Sequence, residues 1–202
     1  MNNSAIGFYA LLNNIGSGNI AIGSFCLDAN TSGGSNVAVG QSALGSNTTA
    51  NKNTAMGESA LALNTTGIQN VAVGANALDA NTTADNNTAV GTNAGSSNTT
   101  GAETNAFGYN ALLSNTSGAA NCAFGNSSLD ANTTGGLNVA MGIQSLSSNT
   151  TASDNTAIGT FVMRDNTTGA SNTAVGKGAL LYNTTASNNT AIGTHALHAN
   201  TT

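Results

Sequence analysis

Short runs of alternating small and apolar residues recur along the chain as N-T-A-I-G or N-V-A-V-G, each followed by A-L and then by N-T-T. Alternation of this kind has the period of a β-strand. The residues on either side of the central alanine therefore share one face, and the alanine and glycine share the other. The closing glycine falls at Gly7, Gly23, Gly40, Gly57, Gly74, Gly91, Gly108, Gly125, Gly142, Gly159, Gly176 and Gly193. Every spacing is 17 residues except the first, which is 16. Taking that glycine as position 0, alanine occupies −2 and asparagine +7 in all twelve copies. Position −4 is asparagine in all but one, Thr104, and position +4 is leucine in ten, with Gly95 and Met163 as the departures.

Seventeen residues are too few for two packed helices but suit one turn of a β-solenoid. A strand-plus-helix repeat is the alternative, and the recurring Thr-Thr, Asn and Gly leave it too few helix formers. The pattern predicts an all-β fold, a parallel β-solenoid of about twelve coils in one uninterrupted array over residues 1–202. A second short strand would carry the +4 leucine, and N-T-T-[GA] would turn the corner, since Asn and Gly tolerate left-handed backbone. At ~4.8 Å per coil the rod is roughly 50 to 60 Å long. The −4 asparagines and the +7 column, Asn30, Asn47, Asn64, Asn81, Asn98, Asn115, Asn132, Asn149, Asn166, Asn183 and Asn200, would stack as amide ladders, each amide bonded to the one above and below. The glycines from Gly23 to Gly193 would allow close backbone approach.

Each coil has only two or three sizeable apolar side chains, at −1, at +4 and at times at −3, a thin filling for a free-standing rod. An alanine and glycine strip twelve copies long would then face a neighbouring backbone. That predicts side-by-side chains, most simply a homotrimer, with dimer and monomer left open. The competing reading is that alanine fills a narrow interior.

Composition sharpens this picture. Charged residues make up 5% of the chain, against roughly a quarter in globular domains, with no Pro or Trp. The net charge is −5, and Lys52, Arg164 and Lys177 are its only fixed cations, so no basic stripe offers itself to nucleic acid. No apolar run reaches the ~20 residues that span a bilayer. The opening MNNSAIGFYALLNN lacks the features of a signal peptide, an expectation of a fragment or of another export route. The chain breaks off within a corner at Thr202, which leaves continuation or end-to-end joining of copies as the two expectations.

Candidate chemistry is sparse. His195 and His198 occupy the variable positions +2 and +5, would point to opposite faces of a strand, and lack a third metal ligand. Asp28, Asp79 and Asp130 recur at +5 every third coil, ~14 Å apart, too far to share a cation, and are expected to serve solubility. Cys26 and Cys122 lie six coils apart, beyond disulfide reach, and are expected to be small buried thiols. Sequons begin at +7 in eleven copies; either they carry glycan or Asn-Thr-Thr is corner chemistry, and the corner reading is favoured because every copy needs it. No nucleophile, base and acid can be assembled, and no paired carboxylates, so neither catalytic residues, cofactor nor metal are expected.

The N-T-A-I-G unit resembles the head repeats of YadA-like trimeric autotransporter adhesins. The longer unit N-T-A-I-G-x-x-A-L-x-x-N-T-T-G is similar to arrays in phage tail fibre proteins, and the similarity covers essentially the whole chain. The resemblance implies a left-handed parallel β-roll, three chains side by side and a role in surface attachment. The 17-residue period departs from the shorter adhesin unit, and no stalk, anchor or chaperone domain accompanies it. The expected function is a non-catalytic, extracellular fibre segment of a virion or cell surface that associates with itself and meets a host receptor or glycan. The second expectation is an ice- or glycan-binding module built on threonine hydroxyls. The adjacency of Thr at +8 and +9 argues against an ice face, because neighbouring strand residues point opposite ways.

Overall fold

Each N-x-A-x-G run folds into one three-residue strand, from β1 (Ser4–Ile6) and β2 (Ile20–Ile22) through β7 (Asn105–Phe107) and β8 (Cys122–Phe124) to β12 (Thr190–Ile192). The computed structural model describes residues 2–200. The twelve strands form a single parallel sheet in chain order, each hydrogen-bonded to the strand of the next coil. The register is that of the repeat, so Ala38 lies between Ala21 and Ala55. The chain is an all-β parallel solenoid with one coil per repeat and no helix among the described residues.

The rest of each coil differs from expectation. Position +4 does not lie on a second strand; it is part of a turn in which +2 and +4 both take left-handed backbone, as at Ser42 (φ 57°) and Leu44 (φ 52°). Such a conformation costs about 1 to 2 kcal/mol for a residue with a Cβ. Two things offset it. The Leu44 side chain is fully buried, and the N–H groups still join neighbouring coils, Leu44 to the Ala60 carbonyl at 3.0 Å and Ser42 to that of Ser24 at 2.9 Å. The backbone ladder therefore continues around the turn without regular strand geometry.

The orientation of the strand corrects the sequence reading. The −2 alanines from Ala21 to Ala191 point into the coil, packed against the +3 alanines and the +4 leucines, while −3 and −1 face outward. Alanine does fill a narrow interior. The larger Ile, Val, Met and Phe side chains that were expected to fill it form the outer surface of the sheet instead.

Candidate functional site

Two features are repeated often enough to define a working surface: the outward sheet face and the asparagine corner. On the sheet face, −3 and −1 form two parallel rows along the solenoid. Ile22, Met56 and Met141 in the −1 row are 40 to 45% exposed. The side chains stack at the coil rise, most clearly in Phe107 and Phe124, whose rings lie 4.5 Å apart and 4° from parallel. No charged side chain interrupts either row. The rows are uneven, with Thr54 beside Met56, Cys122 beside Phe124 and Val71 beside Val73.

The corner is held by two amide columns in the interior. In the +7 column, Asn47 Nδ2 donates to Asn30 Oδ1 at 2.7 Å and to the Ala50 carbonyl at 3.2 Å. Both of its amide hydrogens are thereby used. The same side-chain bond runs coil by coil from Asn30, which donates to Asn14, up to Asn200, which donates to Asn183. The −4 column works differently. Asn53 N–H donates to Asn36 Oδ1 at 2.9 Å, and Asn53 Nδ2 donates to the Gly67 carbonyl at 2.8 Å, so each amide ties its own strand to the strand after it and to a corner. The position-0 glycines pack within the chain: a Cβ on Gly74 would lie 2.5 Å from the Gly91 carbonyl oxygen, at a φ of 132° that side chains rarely adopt.

The sequons belong to this interior. From Asn30 to Asn183 the +7 side chains are at most 1% exposed, and Nδ2 of each is engaged twice. The threonines after them are also part of the corner, since Thr65 Oγ1 donates to the Thr82 carbonyl at 3.0 Å. Of the pair, the +9 residues, such as Thr49, Thr66 and Thr83, are the more exposed, although Thr31, Thr116 and Thr184 at +8 are exposed as well.

A third ladder was missed from the sequence. The +11 N–H groups of Gly34, Ile68, Gly136 and Ala170 donate to side chains one coil on, Asn51 Oδ1 (2.7 Å), Asp85 Oδ1 (2.7 Å), Ser153 Oγ (3.0 Å) and Ser187 Oγ (2.9 Å). Each acceptor follows an alanine at +10, and each donor follows a glycine. The signal is present as a two-coil period in which corners ending in Gly and in Ala alternate, broken once at Gly118, which stands where alanine is due between Gly101 and Gly135.

The isolated candidates fall in different places. His195 and His198 do not point to opposite faces: they lie in a turn, and their rings meet edge to face at 4.8 Å. His198 also packs on Tyr182, beside the Arg164–Asp165 ion pair. Among the described residues no group of three or more His, Cys, Asp or Glu is placed to hold a metal. Asp79 and Asp130 are not simply solvated. One carboxylate oxygen of each is buried without a partner, and burial raises both above the ordinary carboxylate range. Cys26 is buried, its thiol 3.1 Å from the Ala38 carbonyl and pushed by burial up to about 11. Cys122 is only half-buried, because −3 faces outward.

Compared with protein-family models, with curated proteins and with solved structures, the chain matches none.

Proposed function

We propose that this chain is a structural, non-catalytic segment of an extracellular attachment fibre, on a virion or a cell surface, and that it associates with itself through its sheet face. The observation that carries the reading is the outward turn of −3 and −1, which sets an unbroken apolar row at −1 in water along the whole sheet, beside an uncharged −3 row in which Thr and Val predominate. Continuous apolar surface of that extent is characteristic of an interaction face. The parallel sheet keeps one register from coil to coil, so a second copy could meet it in the same way at every coil. Three copies around a common axis would cover the face completely and leave the corners outside, free to meet a receptor or glycan. The similarity of the repeat to adhesin heads and phage tail fibre arrays supports the same assignment.

Sedimentation of the wild-type chain and of a Met141→Glu, Ile158→Glu double variant tests it. The wild type is expected to sediment at three times the chain mass, and the double variant as a folded monomer. A wild type that stays monomeric at every concentration would overturn the proposal.

The exposed +9 hydroxyl row is the one feature that favours an ice-binding array instead. It is a single file, and the sheet face beside it varies between Thr, Val, Met and Phe, which no regular lattice would match. A freezing-point gap in a thermal hysteresis assay would reverse the order of the two readings.

A further inference from the structure

The repeat is least regular at its first corner, where Ile15 alone stands between Asn14 and Gly16 in place of the two residues, such as Thr31 and Ser32, of later coils. That shortened corner, together with Gly34, which has no side chain, leaves a cleft of about 510 Å3 between Ile15 and Ile68. Its size lies in the range of small-molecule sites.

Of the polar side chains that line the cleft, Asn51 is used within the corner: it accepts from Gly34 N–H at 2.7 Å and donates to the Thr49 carbonyl at 3.2 Å. Ser17, Ser32, Ser35, Lys52 and Gln69 also line the cleft, and among the described residues their side chains form no hydrogen bond or ion pair with protein. Five unspent hydroxyl, amide and ammonium groups thus converge on one concave surface that also carries two isoleucines. A pyranose has the matching shape, with a C–H face for the aliphatic walls and a rim of hydroxyls that both donate and accept.

We propose that this cleft binds one neutral pyranose unit of a saccharide. Lys52 is the one charged side chain that lines the cleft, and Asp85, whose Oδ1 accepts the Ile68 N–H at its edge, offsets that charge, so the cleft holds no net positive charge to select a carboxylate-bearing sugar. None of the lining residues belongs to the sheet face, so the site is complete in a single chain and does not depend on self-association.

Saturation-transfer difference NMR on the full chain, with glucose, galactose, N-acetylglucosamine and glucuronate as separate probes, tests the proposal. Ser35→Leu and Lys52→Gln are suitable variants, since Leu137 and Gln69 already occupy the equivalent position with φ 59°. At least one neutral sugar is expected to give saturable transfer. Ser35→Leu, which removes a hydroxyl and fills the cleft, should weaken it about tenfold, equivalent to about 1.4 kcal/mol. No saturable transfer from any neutral sugar, preference for glucuronate, or unchanged binding in both variants would each overturn the assignment. Because the readout is independent of oligomeric state, its failure is separable from failure of the fibre proposal.

Discussion

The Thr104 hydroxyl donates to Asn87 Oδ1 at 2.8 Å, and at that contact the −4 amide column breaks. Thr104 N–H still donates to Asn87 Oδ1, but Thr104 has no amide to hand on to the next coil, and Asn87 Nδ2 is left buried without a partner. In the intact coils each such amide accepts from the following Asn N–H and donates to a corner carbonyl. Thr104→Asn would supply the Oδ1 acceptor that the buried Asn121 N–H lacks, and is therefore expected to stabilise the chain by about 1 to 3 kcal/mol, the usual cost of an unsatisfied buried polar group. Urea unfolding of the two forms measures it, and an unchanged or lower midpoint would contradict this account of the column.

The strand has an inside and an outside, and substitutions should separate them. Ala72 is fully buried between Ala55 and Ala89 in adjacent strands, so Ala72→Leu has no space to enter and should cost about 3 kcal/mol. Val73→Thr, one residue on and facing out, should change the stability of the monomer by less than about 1 kcal/mol. Equal losses from the two changes would mean that the faces are assigned the wrong way round.

The sequons from Asn30 to Asn183 should carry no glycan in folded protein, because the acceptor nitrogen is buried and both of its hydrogens are engaged. In an expression host that glycosylates asparagine, modified chains should be protease-sensitive and unmodified chains resistant. Mass spectrometry that finds glycan at Asn64 in the resistant fraction would refute this.

Asp79 and Asp130 make stability depend on pH in a defined direction. Burial raises both in the folded state, so between the ordinary aspartate value near ~4 and the raised folded value the native chain binds more protons than the unfolded one. Stability contributed by the protonated form is complete below that window and is lost as pH rises through it. An Asp79→Asn, Asp130→Asn double variant should be more stable than wild type at pH 7 and should show a flatter profile from pH 4 upward. A wild-type unfolding midpoint that rises with pH over this range, with no difference from the variant, would rule the effect out.

The amide columns are legible because Asn30 to Asn200, and Asn19 to Asn189 with Thr104 as the one exception, recur every 17 residues, and stacking follows from spacing alone. The inter-coil bond from Gly34 to Asn51 escaped notice because its signal has a period of two coils, and aligning single repeats averages it away. Strand geometry over +2 to +5 would set His195 and His198 on opposite faces, whereas left-handed residues at +2 and +4 curl that segment into a turn and bring the two rings together.

By itself, the amino-acid order determined the coil length, the parallel register, which residues share a face, and the two asparagine columns, since each is a consequence of periodicity. Which face of the strand lies inside was decided only by the closed coil. Alternation divides residues into two sets without saying which set is enclosed, and the usual preference for burying larger apolar groups pointed the wrong way here. A coil of 17 residues with the +4 leucines and two asparagine columns already within it has room for nothing larger than alanine across from them, so Ile22, Met56 and Phe124 are left outside.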